Sequence, residues 1–372
     1  MDDLKKYLSF HWVLISLGLS VTGLLLPLYM NHAGIDETQI GNIFFFGTIL
    51  SAFLLVLFFL HSDVSGRKLS LLVFALLGTL ASALAAFSPP IFFVFLLIAL
   101  FLRAEGRAVW VLTKIFAIEN YEHSKGLSYG FFAATLTLGG IVGTVASGYL
   151  ADSVGFQQTF FFAALISVLS FIPIFFIKEH KIKLQKFSFR PKFTKTFTAL
   201  TLHRFLASLG SAIPFIFAYV IFMNTRLHFS YSVIGLISAL SGIGAILGSM
   251  AGKLSDEYDF RTISILATLL SVVPVVFLPF IADIFLIIFI MFMSSVGDGI
   301  YGTTLPYFFE KTSTQLGRDV SVIETMGIST GAAIGSWLSG VLIVNFGYVS
   351  VFIVGTVIGL LSILPLFVFY KK

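Results

Sequence analysis

The sequence predicts an all-α integral membrane protein of twelve transmembrane helices, arranged as two pseudo-symmetric six-helix bundles. Three observations carry that expectation. Hydrophobic residues fill 58% of the 372 positions and charged ones only 11%, with a mean hydropathy of +1.01, too little polar surface to solvate a water-soluble protein of this size. Apolar runs long enough to cross a bilayer recur from Phe10 to Tyr370 with short interruptions. The two halves of the chain also repeat each other at a nearly constant offset.

The solvent of such a chain is lipid. A hydrocarbon core of about 30 Å takes roughly 20 apolar residues per helix, whereas a membrane barrel needs short segments of alternating polarity, and none is visible. The expected spans are 9–31, 38–60, 69–88, 90–113, 127–151, 155–177, 198–223, 231–252, 262–281, 283–306, 321–344 and 347–370. The first follows Lys5 and Lys6 as a secretory signal would, but it runs to Met30 with no small-residue cleavage pattern behind it and is expected to be retained. Cysteine is absent, which excludes disulfides, thiolate metal sites and cysteine nucleophiles. With no His-Glu-x-x-His pattern, nucleophile motif or phosphate loop, neither a metal, a cofactor nor an enzymatic activity is expected.

A net charge of +5 would suggest nucleic acid in a soluble protein, but these cations sit in short loops beside spans, so no nucleic acid is expected and the charges encode orientation. With the N-terminus inside, eighteen Lys and Arg face the cytoplasm, Arg226 alone lies outside, and Arg103, Arg107, Lys114 and Arg204 fall within spans. Both termini are therefore expected in the cytoplasm, with the chain in the inner or plasma membrane of the cell. The longest loop, Lys178 to Thr196, holds seven of the eighteen and divides the chain into a bundle over residues 1–178, a basic linker over 179–196 and a bundle over 197–372.

The repeat has an offset of 192 to 194 residues. His11, Ser16, Leu17 and Gly18 return as His203, Ser208, Leu209 and Gly210, Ile40 and Gly41 as Ile234 and Gly235, and Ser62 with Asp63 as Ser255 with Asp256. The fifth span reads Gly143, Ser147, Gly148, Leu150, Gly155, Phe160, and the eleventh answers with Gly335, Ser339, Gly340, Leu342, Gly347, Phe352.

Two parallel six-span units joined by a basic linker resemble the major facilitator superfamily over essentially the whole chain. That family's loop signature, Gly-x-x-x-Asp-x-x-Gly-Arg-Lys/Arg, is matched by Asp63, Gly66, Arg67 and Lys68 without the leading glycine, and by Gly252 and Asp256 with a looser Arg261 in the second half. The resemblance implies that Asp63, Gly66, Arg67, Lys68, Asp256 and Arg261 form a cytoplasmic gate that biases the conformational equilibrium without touching substrate. An ordinary tight turn with topology-setting cations has the same composition. Helix 5 is similar to an exporter-type pattern, Gly-Pro-x-x-Gly-Gly, but reads Gly143-Thr144-Val145-Ala146-Ser147-Gly148, lacking the proline and one glycine.

Small residues at four-residue spacing let helices approach closely in lipid. Gly139 and Gly143 with Ser147, then Gly148, Gly244 and Gly248, and Gly331 and Gly335 lie on helices 5, 8 and 11, which meet between the halves in the resembled fold. Helix 4 holds Arg103, Glu105 and Arg107 well inside a span, where a charge costs about 2.5–3.5 kcal/mol and must face protein or water. Arg103, Arg107, Trp110 and Lys114 fall on one helical face, with Glu105 on the opposite one. Arginine forks suit carboxylate or phosphate, and a structural salt bridge to another helix is the alternative. Asp298 in helix 10, between two glycines, can carry a proton, pair with Arg103 or Arg107, or bind a cation. Pro27 and Pro214 can kink helices 1 and 7, and Tyr29, Tyr219 and Asn224 are expected in the outer cavity wall, while the phenylalanines receive no site.

The function expected is secondary active transport of a small anionic or amphiphilic solute by alternating access, coupled to protons, by a monomer in the lipid bilayer. An efflux carrier and an organic-anion carrier both fit. A non-transporting sensor and a lipid scramblase on the same fold are the alternatives.

Overall fold

The computed structural model describes residues 3–120, 125–177, 195–250, 259–312 and 317–368. Among them the chain forms α1 (Asp3–His32), α2 (Glu37–Ser65), α3 (Arg67–Phe87), α4 (Phe92–Asn120), α5 (Lys125–Val154), α6 (Phe156–Leu169), α7 (Phe171–Phe176), α8 (Lys195–Phe215), α9 (Ala218–Thr225), α10 (Tyr231–Met250), α11 (Phe260–Val272), a short 3-10 segment (Pro274–Phe280), α12 (Ile284–Thr312), α13 (Gly317–Phe346), α14 (Tyr348–Leu361) and α15 (Leu364–Val368). Eleven of the helical stretches are long and apolar enough to cross a membrane. The twelfth expected span, α4, is 29 residues long and is set apart by its internal charges, Arg103, Glu105 and Arg107. Asp256 and nearly all of the linker lie outside the described residues.

Several spans are broken, and the breaks follow from local chemistry. Proline removes a helical N–H and crowds the preceding turn, so α8 ends one residue after Pro214 and the helix resumes as α9 beyond Phe217. Pro274 turns the end of the α11 span into 3-10 geometry. Pro27, by contrast, sits inside an uninterrupted α1. The breaks at Ser170 and Ser362 are repeat-equivalent, and each leaves a carbonyl that a histidine satisfies. His11 Nδ1 donates to Ser170 O at 2.8 Å and His203 Nδ1 to Ser362 O at 2.7 Å. Ser16 Oγ donates to Leu136 O at 2.6 Å and Ser208 Oγ to Ile328 O at 2.7 Å, so the sequence repeat is also a repeat of buried hydrogen bonds. The repeat-equivalent turns at Gly155 and Gly347 have φ of +86° and +75°, which side-chain-bearing residues rarely adopt.

The glycine rows pack differently from their expected place. A methyl added at Gly143 would lie 2.6 Å from Leu17 O on α1, at Gly244 2.5 Å from Phe292 O on α12, and at Gly331 2.5 Å from Phe205 O on α8. Gly139, Gly248 and Gly335 likewise meet Val13, Val296 and Leu209. These contacts tighten helices within one half. Of the glycines expected there, Gly148 does lie at the seam between halves, against Tyr231, joined by Gly235 against Thr144, Gly41 against Ser336 and Gly340 against Glu37, so that α5 meets α10 and α2 meets α13.

Most described cations lie in the helix ends at one end of the bundle, the basic end; the connections at the other end hold Arg226. At that cation-poor end one continuous core joins both halves, from Leu24 to Met30 and Ile40 to Phe44 on one side to Ile213–Met223, Ile234 and Tyr348–Phe352 on the other. Toward the basic end the buried apolar residues separate, among those described. Leu8, Trp12, Phe74, Leu112 and Phe132 form a core within the first half, touched from the second half by partly buried Met326, and Phe197, Leu200, Ala267, Tyr301 and Leu366 form another. Polar contacts reinforce the joined end. The Asp152 carboxylate accepts from Tyr231 N (3.2 Å), Ser232 N (2.8 Å) and Ser232 Oγ (2.5 Å), and Tyr348 Oη donates to Glu37 Oε1 at 3.0 Å.

Candidate functional site

Between the halves lies a cavity of about 420 Å³. From the first half, α4 contributes Arg103, Gly106, Arg107 and Trp110, α1 contributes Leu19 and Gly23, and α2 contributes Phe44. The second half faces them with Ser208, Ser211, Ala212 and Phe215 of α8 and Ala332 of α13. A smaller space of about 220 Å³ shares Leu19, Gly23, Phe215 and Ile216 with it and continues past Thr144 and Tyr219 toward the cation-poor end. The basic stripe read from helix 4 thus faces a cavity, as residues four and three apart on one helix must share a face.

The site has one charged wall and apolar surroundings. The Arg103 guanidinium carbon stands 5.0 Å from the centre of the Phe44 ring, and its Nε has no hydrogen-bond partner among the described residues. A guanidinium in such a place retains donors that suit an oxyanion, while Trp110, Leu102 and Phe215 offer surface to a hydrocarbon or aromatic group. Ser208 and Ser211 spend their hydroxyl protons on backbone carbonyls, Ile328 O and Ser208 O, which leaves their oxygens as acceptors.

Glu105 does not join this wall. It is 1% exposed, points back toward α3, and its carboxyl occupies the space that a side chain at Gly78 would need. Oε1 has no hydrogen-bond partner among the described residues. Asp298 stands 193 residues later and occupies the matching place in the second half: Ser271, the counterpart of Gly78, donates its hydroxyl to Asp298 Oδ1 at 2.5 Å. Arg204 of α8, which lies over the Tyr301 ring at 4.6 Å, is within electrostatic range of Asp298.

Of the residues expected in the outer wall, Tyr219 lines the smaller cavity and reaches Ser238 Oγ at 3.3 Å. Tyr29 is instead packed among Phe95, Phe156 and Phe160, and Asn224 Nδ2 donates to Phe229 O at 3.0 Å, closing a loop. The gate residues that are described sit at the basic end. Gly66 caps α3 at φ +94°, Arg67 is buried, Lys68 Nζ donates to Phe175 O (3.1 Å) and Ile177 O (3.2 Å), and Arg261 lies 3.9 Å from the Phe367 ring centre. The side chains of Asp63 and Lys114, and all of Asp256, lie outside the described residues. Phe44 was missed because its phenylalanine is one of 44 in a lipid-facing composition, and nothing in its neighbours marks it. Ser208 could have been found from its repeat partner, Ser16.

The family model of the Major Facilitator Superfamily matches residues 8–326 and, again, 200–372. The chain belongs to the Major Facilitator Superfamily. Multidrug resistance protein MdtG of Klebsiella pneumoniae (strain 342) is 26% identical over 382 residues, covering 94% of this chain and 90% of the relative. MdtG of Salmonella choleraesuis (strain SC-B67) is 24% identical over 383 residues, covering 94% and 92%. Among solved structures, the human organic anion transporter MFSD10 (TETRAN) superposes with a TM-score of 0.70 at 16% identity over 98% of this chain and 99% of its own. A bacterial homologue of the human lysosomal transporter Spinster, inward-facing and unoccupied, gives 0.67 at 11% identity over 98% and 94%. At these identities the two structures show the fold, which is that of Major Facilitator Superfamily transporters.

Proposed function

We propose that this chain is a secondary carrier that exports amphiphilic organic anions from the cytoplasm by alternating access, driven by protons. The observation that carries the reading is the cavity between the halves, with Arg103 and Arg107 on one wall and Trp110, Leu102 and Phe215 beside them. A carboxylate or sulfonate meets the guanidinium groups and its apolar body meets the rings, and neither alone accounts for both kinds of wall. The excess of Lys and Arg at the basic end supports a cytoplasmic position for that end, both termini with it, in the inner or plasma membrane. The core joined at the cation-poor end and parted toward the basic end then corresponds to a carrier closed outward and open inward. The bundles over 1–178 and 197–372 rock about this site as units linked by 179–196, and one chain contains the whole cavity, so a monomer suffices. The MdtG relatives are named for multidrug resistance and the human neighbour as an organic anion transporter, and both names support an organic cargo, the second an anionic one.

The test is efflux from proteoliposomes loaded with an aromatic sulfonate, its uncharged analogue or a lipophilic cation of similar size. Saturable efflux of the sulfonate, reduced at least tenfold in Arg103→Met, is the expected result. Saturable efflux of the cation with no sulfonate movement overturns the assignment.

A further inference from the structure

One contact at the cavity wall breaks the internal repeat. Several structural bonds of this molecule come in pairs: His11 with His203, Ser16 with Ser208, the breaks at Ser170 and Ser362. The contact between Arg103 and Phe44 does not. By the offsets that align their helices, Arg103 corresponds to Val296 and Phe44 to Ser238. An interaction present in one half only is not required by the fold that both halves share.

Phe44 is 2% exposed and touches the cavity from α2. Its ring lies nearly parallel to that of Phe217, 6.0 Å between centres and 7° between planes. Phe217 belongs to the second half and is fully buried at the break between α8 and α9, with φ −150° and ψ −29°. The chain of contacts therefore runs from the guanidinium of Arg103 to the Phe44 ring, across the seam, and into the interrupted part of a cavity-lining helix.

We propose that Phe44 is a positioning residue that competes with the transported anion for the Arg103 guanidinium, and so ties arrival of the anion to the seam between the halves. The proposal rests on the anion role given to Arg103 above. In the empty carrier the ring holds the guanidinium by its quadrupole, an interaction that gains strength where water is excluded. An oxyanion offers charge-assisted hydrogen bonds that the ring cannot, and it draws the guanidinium off the ring to make them. Apparent anion affinity is then lowered by the fraction of carrier in which the ring holds Arg103. Once released, the Phe44 and Phe217 pair loses one of its partners, and the break beside Phe217 lies where a helix can bend without losing further hydrogen bonds.

The experiment is equilibrium binding of anilinonaphthalene sulfonate and of uncharged phenylnaphthylamine to the full chain in lipid nanodiscs. Phe44→Leu is expected to raise sulfonate affinity several-fold, up to about tenfold, and to leave the amine unchanged. Phe44→Met, which keeps the volume without the ring, gives the same result if the leucine variant fails to fold, and Phe44→Tyr stays near wild type. Combined with Arg103→Met the gain disappears. Equal weakening of both dyes, or a gain that survives Arg103→Met, overturns the proposal and leaves Phe44 as plain wall. A sulfonate preference over the amine that is untouched by Arg103→Met alone refutes the anion role of Arg103 itself. The chain contains no cysteine, so Val233→Cys reports the seam from the start of α10. Sulfonate is expected to change its labelling by a water-soluble maleimide in wild type but not in Phe44→Leu; an equal response in both severs the link to the seam.

Discussion

Glu105 and Asp298 show how much one residue's surroundings decide. Both are acids set at the same place in the repeat, yet one meets a glycine and the other a serine. Gly78→Ala puts a methyl group where the Glu105 carboxyl lies, and overpacking of this kind costs about 1–3 kcal/mol. Thermal unfolding in detergent is expected to show that loss, with most of it recovered in the double variant Gly78→Ala/Glu105→Ala; no recovery would separate the two residues. Ser271→Ala removes the hydroxyl that Asp298 accepts from and is expected to cost about 1–3 kcal/mol by the same measurement. Helical spacing was enough to turn Glu105 away from Arg103 and Arg107. It could not say what Glu105 meets, because that depends on the rotation of α3, to which the all-apolar face of a lipid-exposed helix gives no sequence signal. That Arg204 lies within electrostatic range of Asp298 was not legible for a similar reason: distance across a bundle is set by which helices neighbour, not by sequence.

At the scale of helices, the breaks and the seam carry the predictions. His203 is fully buried with Nδ1 on the Ser362 carbonyl, so His203→Leu leaves that carbonyl unpaired beside the break between α14 and α15. A destabilisation of about 1–3 kcal/mol is expected, and His11→Leu at Ser170 should match it, because the geometry repeats. A large inequality between the two would show that the repeat is of sequence and not of energy. The seam has its own test. Asp152→Asn combined with Tyr348→Phe weakens the polar contacts that hold Ser232 and Glu37 across the halves, each worth about 0.5–1.5 kcal/mol or more where charged. Distances between spin labels at the cation-poor ends of α5 and α10 are expected to gain a longer population; an unchanged distribution would assign the closure to the glycine contacts alone. Small-residue spacing marked the helices that pack closely, which α5, α10 and α13 do. It did not separate packing inside a half from packing across the seam: the four-residue rows pack inside a half, while the seam is made by Gly41, Gly148, Gly235 and Gly340, which lie off those rows.

The whole molecule was the most legible level. Hydropathy set the spans, with α4 recognisable despite its charges, and the offset of 192 to 194 residues foretold paired hydrogen bonds that no single-helix pattern could. The parting of the core toward the basic end was not legible, because which face of a two-bundle carrier is closed is a difference between conformations of one sequence. The central claim is that anion and proton movements are coupled through this cavity. Its most direct test is proton flux in sealed vesicles holding the purified chain, started by adding an amphiphilic sulfonate or carboxylate, in wild type, Arg103→Ala, Arg107→Ala and Asp298→Asn. The account predicts a substrate-dependent proton flux in wild type that the two arginine variants reduce at least tenfold, with Asp298→Asn separating anion movement from proton movement. Proton flux that is absent for every anion, or present and equal in all four proteins, would contradict it.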